Sequence, residues 1–518
     1  MALYILDKVA VSARKAPRDI DEKLRPVIAG KLKLSPDEID YHILGKSIDS
    51  RRSEAMFIYR LAVSSEKKLE LPELSQEQIA ALGKAELPLP EKSALRHPLV
   101  VGTGPAGIFG ALALAMAGAE PIVIDRGYPV DHRRAEWEKF LQTRILDTEN
   151  NLLIGEGGAG AFSDGKLYTG TKDVNRRFIL QEMIAAGAPE EIAYLSRPHV
   201  GSDKLPLISI NLRRKIEALG GKFLFGKEVT DIALHKGRCS GVFCGSELIP
   251  APAVLLAPGL GGRTLVRKLL SKVNFSMKPF QMGCRIEHPQ TLIDRCQYHT
   301  ANRPAALGAA EYHLVSRPGD AWNVSSFCMC PGGTVVNATA WEKHSISNGM
   351  SNYARDGEFA NSCLIATLGA DYFSSPDEAF GLIERIETSL FDAGGGDYTM
   401  IAQDASAFLA GRSGLKNNRS SCEVGIVPGR IDHLLITELQ SALRAALKFF
   451  DRKCPNFIRD GKFIGVESCV SAPLRIDRNE NCESSLPGLF PAGEGVGAAG
   501  GILSGAADGI RCALAMLK

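Results

Sequence analysis

The sequence predicts an α/β protein with several domains, and three observations lead to that prediction. Residues 98–127 read as an apolar strand, a glycine-rich turn, an Ala/Leu-rich helix and a second apolar strand. Residues 487–509 read as a strand that ends in an acid, followed by a helix of small residues. The chain has 518 residues, 45% of them hydrophobic, which is enough for two or three domains with a sizeable core.

The segment at residues 98–127 has the pattern of a dinucleotide-binding βαβ unit. Gly102 permits the tight turn after the strand, Gly104 lets a pyrophosphate approach the backbone, and Gly107 lets the helix pack closely on the strand. The helix N-terminus offers free N–H groups to the phosphates. An acid at the end of the second strand can accept hydrogen bonds from a ribose diol. We therefore predict cofactor contacts from Gly102, Gly104, Pro105, Ala106, Gly107, Asp125 and Arg126.

Three other glycine-rich segments are predicted to approach the same ligand. Residues 154–167 contain too many glycines for a helix or a central strand, which suits a loop that lies against a ligand. A strand at residues 253–257 ends in a glycine turn. Residues 487–509 place Glu494 at a strand end, before a helix whose small residues can lie against a flat ligand. The predicted contacts are Gly157, Gly158, Ala159, Ser163, Asp164, Gly259, Gly493, Glu494, Gly500, Gly501 and Ile502.

The chain is predicted to contain an N-terminal α+β domain at residues 1–70, a linker at 71–97, a nucleotide domain at 98–281 and 454–518, and an inserted α+β substrate domain at 282–453. The N-terminal domain reads as a strand at residues 4–13, a helix at 20–34 that Asp19 or Asp21 caps, and strands at 41–45 and 56–63. Within the nucleotide domain, residues 222–234 and 241–243 read as strands of a small sheet.

Together, the two strand-and-acid motifs resemble the signature of FAD-dependent oxidoreductases with a glutathione-reductase-like FAD domain. The segments at residues 156–166, 198–204, 326–333 and 465–475 are also similar to those of a bacterial family of uncharacterised FAD-dependent dehydrogenases. The resemblance implies a Rossmann-like FAD/NAD(P)-binding domain that holds FAD non-covalently. It places the ADP half of FAD at the first motif and the ribityl chain at Glu494, and it implies no particular substrate.

Polar side chains within these motifs are the candidates for catalysis, because a protein supplies orientation and charge to flavin chemistry. Lys166 either places a cation near the isoalloxazine or forms a structural pair with Asp164. Arg285 and Glu287 share one face of an alternating strand, so they form either an ion pair or, with His288, a set of donors and proton-transfer groups. Catalytic roles are predicted for Lys166, Arg285, His288 and Arg475.

Cys328 and Cys330 flank a single methionine and would face the same side of a strand. They are either buried structural cysteines or a thiol pair that exchanges electrons with flavin, although the CxxC spacing of redox pairs is absent from the chain. Two cysteines are too few ligands for a zinc or iron–sulfur site, so no metal is predicted. The twelve cysteines lack framework spacing, which predicts reduced thiols in a cytoplasm.

The predicted partner is a small organic substrate. His199 and Arg475 either bind a carboxylate of that substrate or only hold a loop in place. No second GxGxxG unit follows a strand, so either NAD(P)H binds transiently at the flavin as electron donor or the substrate alone reduces the flavin.

Composition gives no reason to expect other partners. The net charge of +2 does not indicate binding to nucleic acid or to an anionic membrane. Prolines and glycines interrupt the apolar run at residues 98–124, which excludes a membrane span there, and the first residues lack the order of a signal peptide. A cytoplasmic location is expected, and the sequence does not predict the oligomeric state.

The sequence therefore predicts an FAD-dependent oxidoreductase that transfers a hydride between non-covalent FAD and a small organic substrate. One alternative is a flavin-dependent RNA-modifying enzyme whose N-terminal domain contacts RNA through the basic cluster at residues 46–52, although that cluster is also typical of a solvated turn. Another alternative is a non-catalytic flavin-binding redox sensor.

Overall fold

The computed structural model describes residues 2–52, 54–91, 93–168, 170, 173–300, 302–319 and 321–518. Within these ranges the strands form six sheets. Two of them position the site, a parallel sheet of five strands and a mixed sheet of seven. An antiparallel sheet of three strands lies in the N-terminal part of the chain. This α/β architecture with a parallel sheet confirms the predicted fold class.

The strands of the first half of the chain are β1 (Leu3–Ser12), β2 (Asp40–Asp49), β3 (Met56–Ser64), β4 (Leu99–Val101), β5 (Ile122–Ile124), β6 (Lys222–Leu224), β7 (Asp231–His235), β8 (Arg238–Cys244), β9 (Glu247–Pro250) and β10 (Val254–Leu256). Those of the second half are β11 (Phe275–Met277), β12 (Phe280–Pro289), β13 (Val315–Ser316), β14 (Val324–Cys330), β15 (Thr334–Asn337), β16 (Ser347–Met350), β17 (Phe359–Leu368), β18 (Met400–Asp404), β19 (Ile426–Pro428), β20 (Lys462–Glu467), β21 (Leu474–Ile476) and β22 (Leu489–Pro491).

The α-helices are α1 (Arg25–Leu32), α2 (Gln76–Ala80), α3 (Pro105–Met116), α4 (Val130–Thr143), α5 (Arg176–Ala185), α6 (Leu205–Ala218), α7 (Arg263–Leu269), α8 (Gln290–Tyr298), α9 (Pro376–Ala393), α10 (Ala405–Leu409), α11 (Ile431–Leu434), α12 (Thr437–Lys453), α13 (Phe457–Asp460) and α14 (Ile502–Met516). Short 3-10 helices lie at Pro36–Glu38, Gly158–Phe162, Glu190–Ala193, Leu260–Gly262 and Ala370–Tyr372. None of the helices in the described ranges combines the length and the apolar character needed to cross a membrane.

The N-terminal sheet has the strand order β1-β3-β2, and the predicted succession of strand, helix, strand and strand is confirmed. Helix α1 begins later than predicted, at Arg25, and Leu24 precedes it without a side-chain cap. The prediction that Asp19 or Asp21 caps this helix is therefore wrong, because both residues lie too far before its first turn.

Asp21 instead joins the N-terminal sheet to the rest of the protein. Its Oδ1 accepts hydrogen bonds from Lys46 Nζ at 2.7 Å and from the hydroxyl of Tyr59 at 2.7 Å. Its Oδ2 accepts one at 2.9 Å from the hydroxyl of Tyr194, which lies outside this sheet. Next to this contact, the backbone N–H of Lys46 donates to the carbonyl of Tyr194 at 2.9 Å.

The five-stranded parallel sheet has the order β22-β10-β4-β5-β6. Strand β4 therefore pairs with β5 on one side and with β10 on the other. Strand β6 belongs to this sheet rather than to the predicted small sheet, because it pairs with β5. The small sheet consists of β7, β8 and β9. Helix α3 is almost entirely buried, and it packs against α14, whose small residues allow close contact.

The seven-stranded sheet has the order β13-β14-β17-β12-β20-β18-β19. Strand β20 lies beyond residue 453, the predicted end of the substrate domain, and joins this sheet because it pairs with β12 and β18. Helix α12 contacts three strands of the sheet through an apolar face whose residues recur every three or four positions. The domain boundaries remain a prediction.

Cys296, in α8, and Cys454, directly after α12, form a disulfide. This finding corrects the prediction that all twelve cysteines are reduced thiols. The Cα atoms of the two cysteines are 5.5 Å apart, which is a normal separation for a disulfide. The two cysteines are 158 residues apart in the sequence, so their spacing could not indicate the pairing.

Candidate functional site

A cavity of about 660 Å³ is lined both by loops of the parallel sheet and by strands of the seven-stranded sheet. The loops follow the carboxyl ends of β4, β5, β10 and β22. In open α/β sheets, ligands bind at this edge, at the point where strand order reverses, and here that point lies between β4 and β10. A volume of this size suits a large organic ligand.

The first glycine motif forms one part of the cavity wall. Gly104 caps α3 with a negative φ of −68°, and a Cβ atom placed on it would meet no atom nearer than the Cα of Gly158, at 4.0 Å. A Cβ atom on Gly107 would instead collide with the carbonyl oxygen of Gly102. The open space at Gly104 therefore faces the cavity, whereas Gly107 does not line it and serves the close packing of helix on strand.

Asp125 lines the cavity and also holds the glycine turn in place. Its Oδ2 accepts a hydrogen bond from the backbone N–H of Thr103 at 2.9 Å and another from the Thr103 hydroxyl. Its Oδ1 accepts one from the backbone N–H of Gly127 at 2.9 Å. A carboxylate has about four acceptor positions, so capacity remains for a ligand hydroxyl. Arg126 also lines the cavity and pairs with Glu149 at 2.8 Å.

The loop at residues 154–166 forms the adjoining wall, and the fully buried guanidinium of Arg133 fixes its backbone. Arg133 donates to the carbonyl oxygens of Asn151, Glu156 and Gly158. The buried carboxylate of Glu156 accepts hydrogen bonds from Val130 N–H at 2.9 Å and Arg213 Nε at 2.7 Å. The predicted loop residues that line the cavity are Gly158, Ala159 and Ser163, whereas Gly157 and Asp164 lie behind its surface.

Glu494 lies in the cavity wall at the start of α14. Its Oε1 accepts a hydrogen bond from the backbone N–H of Ala472 at 3.0 Å and is 3.5 Å from Lys278 Nζ. Its Oε2 lies next to Gly500, where a Cβ atom on that glycine would collide with the oxygen. The second oxygen is therefore available to a ligand at the helix N-terminus. The other predicted residues from this segment and the β10 turn also line the cavity, namely Gly259, Gly493, Gly500, Gly501 and Ile502.

Lys166 lines the cavity beside β14. Its Nζ lies 3.0 Å from Asp164 Oδ2 and donates to the carbonyl oxygen of Met329. Asp164 also accepts a hydrogen bond from Arg355 Nε at 3.0 Å. Burial alone would raise the pKa of the Asp164 carboxyl, but the two cations outweigh it and hold this pKa below its usual range. The structural Lys–Asp pair considered above is therefore present, and Lys166 faces the cavity at the same time.

Glu467, in β20, lines the cavity and is the ion-pair partner of Arg285. Arg285 Nε donates to Glu467 Oε2 at 3.0 Å, and its NH1 donates to Asn361 Oδ1 at 2.6 Å. The expected pair of Arg285 with Glu287 is wrong: Glu287 accepts hydrogen bonds from Ser421, on another segment. Burial raises the pKa of the Glu467 carboxyl to about 7, although Arg285 acts to lower it.

His288 and Arg475 do not reach the cavity, so the prediction that both act at the site is wrong. His288 Nε2 lies 2.8 Å from the carbonyl oxygen of Phe457, and the two rings are in contact at 4.1 Å between centroids. Arg475 is exposed and donates to the carbonyl oxygen of Gly497 at 3.2 Å. Arg285 also lies behind the cavity surface and acts on it through Glu467.

The cavity residues that were absent from the predicted site include Glu467, and Cys328 of the cysteine pair. Both lie within the segments that resemble the bacterial family, and this resemblance was the feature of the sequence that could have indicated them as site residues. Alternation along one strand could not reveal Glu467, because the pair with Arg285 joins strands that are 182 residues apart in the sequence.

Comparison with known proteins identifies the family. A protein of Clostridium beijerinckii, named as an uncharacterized protein, is 38% identical over 507 residues, which cover 95% of this chain and 95% of that protein. Residues 279–469 match the family described as "FAD-dependent protein, C-terminal domain-like", and residues 10–64 match a domain of unknown function. The chain belongs to this family of FAD-dependent proteins.

The comparison also found solved structures of low similarity. One is CtdE in complex with FAD and a substrate, at 10% identity and a TM-score of 0.36, covering 81% of this chain and 80% of that chain. Another is a geranylgeranyl bacteriochlorophyll reductase-like protein of Thermoplasma acidophilum, at 12% identity and a TM-score of 0.35, covering 81% of this chain and 76% of that chain. Similarity at this level carries no inference about the reaction.

The residues of this FAD-dependent protein fit the cofactor of its family. The backbone at Gly104 is open to a pyrophosphate at the N-terminus of α3, and Asp125 retains capacity for a ribose hydroxyl. The free oxygen of Glu494 lies at the N-terminus of α14, where it can accept a ribityl hydroxyl. The family resemblance implied the contact of Glu494 with the ribityl chain, and this contact remains a prediction.

Proposed function

We propose that this FAD-dependent protein is an oxidoreductase that transfers a hydride between non-covalently bound FAD and a small organic substrate. The observation that supports the proposal is the composition of the cavity wall. Both glycine motifs meet there with Lys166 and Glu467, two ionisable side chains that a purely structural nucleotide site would not require. Ionisable groups with shifted pKa values in a cleft are typical of catalytic sites.

Bound FAD would supply the atom that gives or takes the hydride. The chain holds the cofactor's phosphates at the N-terminus of α3 and orients its ribityl chain through Glu494. Lys166 places a fixed positive charge beside β14, and Asp164 and the Met329 carbonyl hold that charge in position. A preorganised cation stabilises negative charge that develops during reduction without further reorganisation of the site.

Glu467 is the proposed proton-transfer group. Its carboxyl lines the cavity, and its pKa of about 7 means that both protonation states are populated near neutral pH. Such a group can accept a proton from a substrate hydroxyl or amine while the hydride leaves the adjacent carbon. Arg285 is a positioning residue, because it holds the Glu467 carboxylate from behind through Nε and does not line the cavity.

The proposed partner is a small molecule rather than RNA. Within the basic cluster at residues 46–52, Lys46 is bonded to Asp21 and Arg51 forms a hydrogen-bonded pair with Asp49. Two of the three basic side chains of the cluster thus already have carboxylate partners, which reduces the charge that is free to bind a phosphate backbone. We further propose that NAD(P)H serves as a transient electron donor at the same cavity and that the protein acts in the cytoplasm.

Anaerobic reduction of the purified protein tests this function. We expect a yellow protein that releases intact FAD on acid precipitation and whose flavin is bleached by NADH, NADPH or members of a panel of hydroxy and amino acids. Arg475→Met, on the exposed side of β21, is the matched control and should be reduced at the parental rate. A protein that cannot be loaded with FAD, or one that keeps flavin on the precipitated chain, would contradict the proposal.

A further inference from the structure

Cys328 and Cys330 are brought together by an irregularity at the end of β14. The ladder between β14 and β17 passes from the pair Phe327–Cys363 to the pair Cys330–Asn361, so β14 contains one extra residue. Cys328 lies in this bulge with φ of +44°, a conformation that few residues other than glycine adopt. The bulge brings the two thiols close enough to interact, and Cys330 Sγ donates a hydrogen bond to the Cys328 carbonyl oxygen at 3.2 Å.

The two thiols differ in their access to the cavity. Cys328 lines the cavity together with Gly104 and Glu494, whereas Cys330 is completely buried behind it. A ligand in the cavity can therefore meet only the first sulfur directly. The sulfur of Cys330 is placed to react with that of Cys328. Cys328 would therefore be the attacking thiol and Cys330 the resolving thiol.

The charges around the pair favour a thiolate. Lys166 donates to the carbonyl of Met329, the residue between the two cysteines, and Arg285 NH1 lies 3.4 Å from the Cys328 carbonyl oxygen. The interaction with the Cys330 thiol and these two cations lower the pKa of the Cys328 thiol below its usual value, against the effect of burial. The surrounding cluster holds four cations and three carboxylates, namely Lys166, Arg197, Arg285, Arg355, Asp164, Glu311 and Glu467.

We propose that Cys328 and Cys330 form a redox-active dithiol that exchanges two electrons with FAD in this cavity. In the oxidative direction the Cys330 S–H bond breaks and an S–S bond forms between the two sulfurs. Two electrons and the Cys330 proton pass to oxidised FAD, which becomes the anionic reduced flavin. The negative charge of the Cys328 thiolate is thus transferred to the flavin, so atoms and charge balance. The inference rests on the proposed binding of FAD.

A second thiol pair provides the matched control. The thiols of Cys482 and Cys512 are also close enough to interact, and Arg478 NH1 lies 3.4 Å from Cys512 Sγ. Neither of them lines the cavity, and the same holds for the disulfide between Cys296 and Cys454. A response that depends on contact with FAD should therefore follow Cys328 and Cys330 and not these other sulfurs.

The first experiment is an anaerobic dithionite titration of the FAD-loaded protein after mild oxidation with diamide. The parent should take up two more electrons per FAD than Cys328→Ser or Cys330→Ser, because a disulfide accepts two electrons. Cys482→Ser should take up as many electrons as the parent. FAD content and thermal unfolding, measured first, establish that each variant is loaded and folded. Equal uptake by the parent and by Cys328→Ser would overturn the inference and leave the proposed function intact.

Absorption spectra and thiol labelling provide readouts that do not depend on turnover. Cys330→Ser leaves a thiolate on Cys328 beside oxidised FAD, so we expect a broad absorption band at longer wavelength than the flavin's own bands, and Cys328→Ser should lack it. Mass spectrometry after alkylation should find Cys328 and Cys330 blocked in the oxidised parent and labelled in the reduced parent. Alkylation of both residues in both states would refute the inference, whereas a failure to bind FAD at all would refute the proposed function as well.

Discussion

Replacement of Glu494 by alanine should weaken FAD binding by about 10- to 150-fold. One oxygen of this carboxylate is committed to Ala472 N–H at 3.0 Å and lies 3.5 Å from Lys278. The other lies over Gly500 and is the oxygen that a ribityl hydroxyl would meet. A hydrogen bond to a charged group contributes about 1.5–3 kcal/mol, which corresponds to this range in Kd. The assay is a titration of the apoprotein with FAD in which the quenching of flavin fluorescence is measured.

Two control variants separate this bond from its surroundings. Glu494→Gln keeps an acceptor for Ala472 N–H but replaces a charged hydrogen bond with a neutral one, so the loss should be only about 5-fold, or about 1 kcal/mol. Lys278→Met removes the neighbouring cation without touching the ligand oxygen, and its Kd should stay close to the parental value. A parental Kd for Glu494→Ala, in a protein with an unchanged thermal unfolding curve, would show that this carboxylate does not bind the cofactor.

Three further predictions concern other parts of the cavity. Gly104→Val should fold normally, because the backbone at Gly104 is extended and the added Cβ would point into open space. It should nevertheless lose nearly all of its flavin, whereas Asp125→Ala should lose less. Equal and small losses of flavin in both variants would contradict the placement of the phosphates. Lys166→Met should retain FAD but make its midpoint potential more negative, while Arg475→Met should match the parent in a spectroelectrochemical titration. Flavin reduction by a substrate that releases a proton should rise with pH to a plateau above about 7, because Glu467 accepts that proton only when ionised. Glu467→Gln should abolish this pH dependence and slow reduction about 100-fold or more, and an unchanged profile would exclude Glu467 as the base.

The nucleotide end of the site could be predicted from sequence because its determinants are local. A strand, a glycine turn and a helix within residues 98–127 fix where the backbone is open, and the structure places Gly104 and Asp125 in the cavity wall accordingly. Glu494 could be predicted for the same reason, since it lies in the glycine-rich turn between strand β22 and helix α14. These positions depend on neighbours that are close in the chain.

The other end of the site depends on contacts between distant segments, and there the sequence was less informative. Arg285 and Glu287 lie two positions apart on β12, as the predicted ion pair required. The ion-pair partner of Arg285 is instead Glu467, which β20 supplies through its pairing with β12. The same alternation places His288 on the opposite face, where it meets Phe457, so this residue could have been excluded from the start. The bulge that joins Cys328 to Cys330 also depends on pairing with β17, which a single strand does not reveal.

The order of strands in the parallel sheet has a consequence for biosynthesis. Strand β4 and the turn at Gly104 precede β22, Glu494 and helix α14 in the chain by about 390 residues. At about 5–20 residues per second, the intervening stretch of about 390 residues takes the ribosome roughly 20–80 s to make. During that time the buried faces of α3 and β10 lack the neighbours that later cover them. The cavity wall that Gly104 and Glu494 share can therefore form only after this whole stretch has been translated.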